Sequence, residues 1–237
     1  TNFKLFFNER SLWGSVINTF KYAILTSGIK VILAFFIAIF LTSKIKASNL
    51  IRSIVFFPNI VSTVAVGITF RSLMHPSKGL INTVITTFGF EPINFLGNPD
   101  IALYSVIATD VWKGLGVATV IYIAGIVAID KSYYEAAEMD GATAFDKIKY
   151  ITFPLCIPAM NSVIILSFIG GMRSFDLIWT MTGGGPGFAT DVVASVVYKQ
   201  YASGYYGLSS AGTVIIFIMI ALFAYPLQRF LLSREEQ

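Results

Sequence analysis

The chain has 237 residues, of which 55% are hydrophobic and 13% are charged, and its formal net charge is +4. A soluble domain carries about 25% charged residues because its surface faces water, so the composition excludes an ordinary soluble domain and predicts a protein that faces lipid. The basic residues form no run that could follow a phosphate backbone, which argues against nucleic acid as a partner, and the single cysteine, Cys156, excludes an internal disulfide.

Five stretches are long and apolar enough to cross about 30 Å of hydrocarbon as helices. They cover residues 14–42, 53–70, 101–129, 155–172 and 208–227. The sequence therefore predicts an all-α integral membrane protein in which residues 1–237 form a single transmembrane domain. The chain begins with Thr1 and lacks the ordered zones of a signal peptide, so we expect the natural N-terminus to lie further upstream.

The first two spans contain polar residues that are costly in a membrane. Lys21 and Lys30 lie on opposite faces of the first span, so one can extend to the interface while the other needs a protein or water neighbour. Pro58 and Asn59 interrupt the second span, which predicts a kink there. Residues 80–90 are uncharged but too short to span, which predicts an interfacial helix.

The remaining spans carry a second group of charges. Asp110 and Lys113 are three residues apart in the third span and can pair on one helix face, either as a structural ion pair or as part of a relay. After the fourth span the chain becomes polar at Arg173 and Asp176, ahead of a glycine-rich run at residues 183–187. That run is either a flexible turn or a loop that contacts a partner, and glycine suits both.

Residues 131–154 form a charged segment between two apolar stretches. Ser132 and Glu135 have the spacing of a capping box, so a short helix is expected to start near Tyr133 and to end at Gly141. Thr143 supplies a second helix start signal. The segment therefore predicts two short helices joined by a glycine turn.

The orientation follows from the basic residues of the short loops. Lys44, Lys46 and Arg52 join the first two spans and place that loop in the cytoplasm. Alternation of the spans then also places residues 131–154 in the cytoplasm and the polar segments before and after them outside.

The spacing within this charged segment resembles the EAA signature of permease subunits in bacterial ABC importers. That signature is EAA, three residues, G, nine residues and I-x-L-P, and the matching positions are Glu135, Ala136, Ala137, Gly141, Ile151 and Pro154, with Phe153 as the one departure. Residues 52–59 and 79–82 look like the second-span and outer-loop pattern of the carbohydrate-uptake branch. Residues 175–186 look like the T-x-G-G-P segment of the same branch.

The resemblance implies a permease subunit of the bacterial cytoplasmic membrane that pairs with a second permease subunit, as a homodimer or a heterodimer. Two ATP-binding subunits would hold ATP and Mg²⁺, and an extracellular solute-binding protein would deliver a carbohydrate. This chain would have no cofactor, no metal site and no enzymatic activity, in agreement with the absence of a G-x-x-x-x-G-K-[ST] loop. Members of the branch usually have six or more spans, so we expect an N-terminal span outside residues 1–237.

The resemblance also assigns the charged segment a role as the helix that couples the permease to the ATPase subunits. Small alanines allow the helix to approach an ATPase subunit closely, and larger side chains can fill pockets on that subunit. A carboxylate can accept charge-assisted hydrogen bonds across the same contact. The expected coupling residues are Tyr134, Glu135, Ala136, Ala137, Met139, Gly141 and Pro154. The candidates for the substrate pathway are the polar and aromatic residues in or beside the spans, which are Asn59, Asp110, Trp112, Arg173, Asp176 and Trp179.

Two other functional classes are compatible with the charges in the spans. Lys30, Asp110 and Lys113 suggest an ion-coupled secondary transporter, although such folds usually show internal repeats and broken spans in matched positions, and neither is apparent in the sequence. A membrane scaffold without transport activity is the third class.

Overall fold

The computed structural model describes residues 2–9, 11–43 and 48–233, and every regular element in those ranges is helical. The helices are α1 (Asn2–Phe7), α2 (Leu12–Thr42), α3 (Ser48–Ile60), α4 (Thr63–Leu73), α5 (Leu80–Thr87), α6 (Ala102–Val127), α7 (Lys131–Met139), α8 (Ala144–Lys147), α9 (Phe153–Leu155), α10 (Ile157–Met172), α11 (Asp176–Thr182), α12 (Val193–Ala202) and α13 (Tyr206–Leu232). A π-helical turn, Ile148–Thr152, joins α8 to α9. The predicted all-α class is confirmed.

Three of the helices, α2, α6 and α13, are each long and apolar enough to cross a membrane. Two further pairs satisfy the same test only together, and both are bent: α3 with α4 by 97°, and Ala144–Leu155 with α10 by 64°. The described residues therefore provide three spans, or up to five if each bent pair crosses once. The first of these bends lies close to the kink predicted in the second span, whereas the bend before α10 was not predicted.

The second predicted span is broken rather than kinked at its proline. Pro58 lies inside α3, which continues to Ile60. The change of direction comes at Ser62, whose φ of −51° and ψ of 133° lie outside the helical region. A single extended residue redirects the chain more than the one missing hydrogen bond of a proline does, so the break lies a few residues beyond the predicted kink.

The long helix α2 lies at the centre of the bundle, against α6, α10 and α12. Tyr22 of α2 is fully buried in a cluster that includes Ile107 of α6 and Ile178 of α11. Further along α2, Phe35 packs edge to face on Tyr122 of α6, with 5.4 Å between the ring centroids. Because lipid tails are as apolar as these side chains, close packing and polar contacts hold the helices together.

Small residues bring the helices into direct contact. A Cβ on Gly116 of α6 would lie 2.7 Å from the Cα of Phe56 and from the carbonyl oxygen of Val55, so α3 lies directly on α6. A Cβ on Gly171 of α10 would lie 2.6 Å from the Cα of Ala23 in α2. Close approach at small residues is typical of membrane helix pairs.

The first loop is described only in part. Lys44 and Lys46, on which the predicted cytoplasmic side of this loop depends, lie outside the described residues. Arg52 at the start of α3 donates from Nη2 to the carbonyl oxygen of Leu41, at 3.0 Å, near the C-terminal end of α2. A guanidinium at this end of a helix satisfies a carbonyl that has no partner within the helix. The orientation in the membrane stays a prediction.

Candidate functional site

A polar cavity of about 420 Å³ lies among α2, α3, α4, α6, α10 and α11. Four of the six predicted pathway residues line this cavity together: Asn59, Asp110, Arg173 and Asp176. They come from three separate parts of the chain, and the packing of α3 and α10 against α6 brings them together. Thr63 and Ser174 also line the cavity, and no sequence pattern singled out these two residues.

A second cavity of about 210 Å³ adjoins the first and extends along α6 toward Ile121. The two cavities share part of their lining, which includes Lys30, Asp110, Gly114 and Gly170. Connected space therefore follows one side of α6, away from its N-terminal end, and beyond Gly114 its lining is mainly apolar, with Val117, Ile121 and Leu166.

An ion pair lies where the two cavities meet. Lys30 Nζ donates to Asp110 Oδ2 at 2.6 Å, and Lys30 is buried at 8% exposure. Gly114 makes this possible, because a Cβ at that position would lie 2.6 Å from Cε of Lys30. Pairing lowers the cost of both charges inside the membrane region.

The predicted pairing of Asp110 with Lys113 was wrong. Asp110 binds Lys30 of α2, whereas Lys113 Nζ donates to the backbone carbonyl of Asn59, at 3.4 Å. Spacing along one helix gave Asp110 a possible neighbour, but the packing of α2 on α6 supplied a closer cation. The other lysine of the first span, Lys21, is exposed and lies over the ring of Tyr104, with 5.1 Å from Nζ to the centroid.

The two predicted tryptophans do not line the cavity. Trp112 is 43% exposed on α6 and packs on Phe70, with 5.1 Å between ring centroids. Trp179 stacks on Phe175 at 5.7 Å and meets Tyr198 edge to face at 4.7 Å. Since Phe175 itself lines the cavity, this aromatic group adjoins the cavity through a residue that the sequence did not single out.

The glycine-rich run at residues 183–187 is anchored to neighbouring helices. Asp191, which follows the run, is fully buried and accepts hydrogen bonds from Ser195 Oγ and from Lys199 Nζ, at 2.8 and 2.7 Å. Thr190 Oγ1 donates to the carbonyl oxygen of Gly185 at 2.7 Å. These bonds hold the loop in one conformation, which does not fit a freely flexible turn.

The charged segment forms two short helices, as predicted, but α7 starts differently. Asp130 is the N-cap: its Oδ1 accepts from the Ser132 amide at 2.8 Å, and α7 begins at Lys131 rather than near Tyr133. The predicted capping box of Ser132 and Glu135 was therefore wrong, because the carboxylate of Asp130, two residues earlier, already occupies the cap. The hydrogen bond from Ser132 holds the pKa of Asp130 below its ordinary value.

The turn between α7 and α8 matches the prediction. Gly141 has a φ of +77°, in the left-handed region that favours glycine. Its amide donates to the Glu138 carbonyl at 3.1 Å, and the Ala142 amide donates to the Ala137 carbonyl at 2.9 Å. Thr143 then begins α8 with a capping box that it forms with Asp146.

Side-chain contacts tie α7 to α8 and to the π-helical turn. Lys147 Nζ bonds to Glu138 Oε1 at 2.8 Å, and the Tyr134 hydroxyl lies 3.0 Å from Thr152 Oγ1. The hydroxyl of Tyr134 therefore points into the segment. These contacts make the segment one connected unit.

The outward surface of this unit is apolar at several points. Met139 is 88% exposed, and Glu135, Ala136 and Gly141 are also exposed, whereas Ala137 is half-buried. Pro154 is exposed in α9, beyond the two short helices. Two exposed aromatic residues that the sequence did not single out, Tyr133 and Phe145, share this unit.

Among the described residues, no group of three or more His, Cys, Asp or Glu side chains could hold a metal ion. A polar cavity lies among apolar helices, and a connected segment with exposed apolar side chains lies beside them, which is an arrangement of a membrane-embedded protein.

Residues 30–237 match the family described as the binding-protein-dependent transport system inner membrane component. The trehalose/maltose transport system permease protein MalF of Thermococcus litoralis is 33% identical over 222 residues, which are 94% of this chain and 75% of that protein. The lactose transport system permease protein LacF of Rhizobium radiobacter is 29% identical over 97% of this chain and 78% of its own length.

Solved structures share the fold. A bacterial ABC transporter involved in the import of the acidic polysaccharide alginate aligns with a TM-score of 0.82 at 23% identity, over 96% of this chain and 82% of that one. A bacterial alginate ABC transporter in complex with an alginate pentasaccharide-bound periplasmic protein aligns with a TM-score of 0.80 at 23% identity. The alignment covers 97% of this chain and 80% of that one.

The chain belongs to the family of binding-protein-dependent transport system inner membrane components, as a permease subunit of an ABC importer. The resemblance found in the charged segment is thereby confirmed at the level of the family. The protein is a multi-pass protein of the cytoplasmic membrane.

Proposed function

We propose that this chain forms part of the translocation pathway for a sugar or oligosaccharide in an ATP-driven importer. The observation that carries the proposal is the polar cavity among α2, α6 and α10, which places hydrogen-bonding side chains inside a bundle of apolar helices. The relatives named as trehalose/maltose and lactose permeases support carbohydrate as the cargo.

The lining of the cavity suits a sugar. Asn59, Thr63 and Ser174 supply amide and hydroxyl groups that can donate to and accept from sugar hydroxyls. Asp176 adds a carboxylate acceptor, and the ring of Phe175 offers an apolar surface beside them. Trp112 and Trp179 would bind sugar only outside this cavity, so we leave them out of the proposed pathway.

The charged segment, residues 131–154, is proposed to dock on the ATPase subunits in the cytoplasm. Its exposed Met139 and Phe145 are suited to pockets on a partner, and Ala136 allows close approach. The Tyr134 hydroxyl bonds to Thr152 within the segment, so Tyr134 is proposed also to position α7.

The route from this segment to the cavity is continuous along the chain. The π-helical turn and the 64° bend before α10 follow α8 directly, and α10 then reaches the cavity at Gly170 and Arg173. We propose that closure of the ATPase dimer moves the charged segment, and that α10 carries this motion to the cavity so that it opens to the other side.

ATP-driven uptake tests the proposal and separates it from secondary transport. Proteoliposomes would contain this chain, its partner permease and the ATPase subunits, with a solute-binding protein and its labelled sugar outside. We expect uptake only with ATP and all subunits present. Uptake in vesicles that lack the ATPase subunits, driven by an imposed proton gradient, would favour an ion-coupled carrier in which Lys30 and Asp110 take part.

Disulfide crosslinking tests the docking surface. Met139→Cys is expected to crosslink to a cysteine on the ATPase subunit. Phe88→Cys serves as the matched control, because Phe88 is 76% exposed and precedes α6, whereas Met139 follows it. A crosslink from Phe88→Cys alone would contradict the proposed docking side.

A further inference from the structure

The walls of the cavity among α2, α6 and α10 carry more basic than acidic groups. The charged side chains that line it are Lys30, Asp110, Lys113, Arg173 and Asp176. Three are basic and two are acidic, so the walls hold one net positive charge at neutral pH.

Outside the Lys30–Asp110 pair, the lining holds two cations, Lys113 and Arg173, and one carboxylate, Asp176. Lys30 and Asp110 neutralise each other at 2.6 Å. Within the described part of the chain, no carboxylate lies within 4.0 Å of the amine of Lys113 or the guanidinium of Arg173. Lys113 has only the 3.4 Å hydrogen bond to the backbone carbonyl of Asn59, which leaves two of its three donors available.

Of the two cations, Lys113 is half-buried and needs a counterpart, whereas Arg173 is exposed. Lys113 lies near the middle of the apolar helix α6, where an ammonium group is costly unless it faces water or a partner, and where charged residues mark substrate or ion pathways. Arg173, at the C-terminal end of α10, presents a planar fork of donors that matches carboxylate and phosphate groups.

We propose that the cargo of this pathway is an anionic carbohydrate, whose carboxylate or phosphate group binds to Lys113 and Arg173. The proposal rests on the proposed function, because it names the charge of the sugar that the cavity carries. The neutral Lys30–Asp110 pair and the hydroxyls of Thr63 and Ser174 remain for the sugar hydroxyls.

The first test measures the charge of the cavity in the assembled importer, so that any carboxylate of a partner subunit also counts. The Ser174→Cys variant, in a Cys156→Ala background, is reacted separately with an anionic and with a cationic ethyl methanethiosulfonate. Each reaction rate is divided by the rate of the same reagent with free cysteine. We expect a preference of at least about fivefold for the anionic reagent, since the net positive charge of the lining raises the local concentration of anions. Lys113→Gln should remove most of this preference.

The matched control is Lys21→Gln. It removes the same charge from a lysine of α2 that lies over Tyr104 and not in the cavity lining, so the preference should stay unchanged. Equal normalised rates for the two reagents would overturn the proposal, because they would show that partner groups neutralise the two cations.

The second test measures the cargo directly. Proteoliposomes with the whole importer and its solute-binding protein receive trigalacturonate, glucose 6-phosphate or neutral maltotriose, with ATP inside. We expect uptake of one of the two anionic probes, and the identity of that probe shows whether the pathway takes a carboxylate or a phosphate. Uptake should fall about tenfold in Lys113→Gln, because a charge-assisted hydrogen bond is removed.

The failures are distinguishable. ATP-driven uptake of maltotriose alone would overturn the anionic cargo and leave the proposed function intact. ATP hydrolysis that the solute-binding protein does not stimulate would contradict the proposed function, and the proposal about charge would fall with it.

Discussion

Replacing Gly141 by alanine should weaken the joint between α7 and α8 and uncouple ATP hydrolysis from uptake. The φ of +77° at Gly141 is a left-handed conformation that costs a residue with a Cβ about 1–2 kcal/mol. No heavy atom lies within 4 Å of the position that a Cβ would take, so the cost comes from the backbone and not from a clash. At about 1.4 kcal/mol per factor of ten, the native turn should lose roughly tenfold in its population relative to other conformations.

The expected consequence is a lower ratio of sugar transported to ATP hydrolysed. The bonds from the Gly141 and Ala142 amides to the end of α7 depend on this turn, as does the placement of Glu138 opposite Lys147. Both rates would be measured in the same proteoliposomes. Gly141→Asn is the matched control and should keep most of the coupling, because asparagine tolerates the left-handed region better than alanine does.

Two results would refute this reasoning. An unchanged transport ratio in Gly141→Ala would show that the conformation of the turn does not matter for coupling. An equal loss in Gly141→Ala and Gly141→Asn would show that the volume of the side chain, rather than the backbone, decides the outcome.

The ion pair in the cavity gives a second prediction: Lys30→Met should destabilise the protein by about 3 kcal/mol because it leaves the Asp110 carboxylate uncompensated, and adding Asp110→Leu should recover most of the loss. Gly116→Ala should destabilise it by about 2 kcal/mol, as overpacking does, whereas Gly14→Ala, with no neighbour within 4 Å, should not; both are measured as thermal unfolding in detergent. The lowered pKa of Asp130 means that its cap stabilises α7 above the ordinary carboxyl pKa and is lost as the pH falls through the lowered value. The protection of the first turn of α7 against hydrogen exchange should therefore fall as the pH drops below the ordinary carboxyl pKa, and Asp130→Asn should remove this dependence.

Each of these predictions has a clear contrary result. A double variant no more stable than Lys30→Met alone would contradict the compensating role of the ion pair. Equal unfolding midpoints for the Gly116→Ala and Gly14→Ala variants would contradict the direct contact of α3 with α6. An Asp130→Asn variant with the same pH profile as the parent would show that another group titrates in α7.

The fold class and the charged segment were predictable because both depend on local properties of the sequence. Apolar length identifies helices in a membrane, and the spacing from Glu135 through Gly141 to Pro154 can be read without a structure. The glycine turn followed for the same reason, since Gly141 tolerates a conformation that other residues avoid.

Contacts between distant parts of the chain were not predictable. The partner of Asp110 is Lys30, 80 residues away, and only the packing of α2 on α6 brings them together. The inward direction of Tyr134 depends on the π-helical turn at Thr152, which a regular helical period does not anticipate. The sharp bend between α3 and α4 depends on the non-helical backbone between Ile60 and Thr63, which includes Ser62.

The most direct test of the proposed pathway is to fill the cavity. Gly170 lines both cavities, and a Cβ there would have no heavy atom within 4 Å, so a large side chain starts in open space. The measurement is ATP-dependent uptake, in proteoliposomes, of the sugar that the solute-binding protein delivers. We expect the Gly170→Trp variant to insert and assemble but to lose uptake. The control is Gly28→Trp, which lies in equally open space on α2 but outside the cavity lining and should transport like the parent. Undiminished uptake by Gly170→Trp would contradict the proposed pathway.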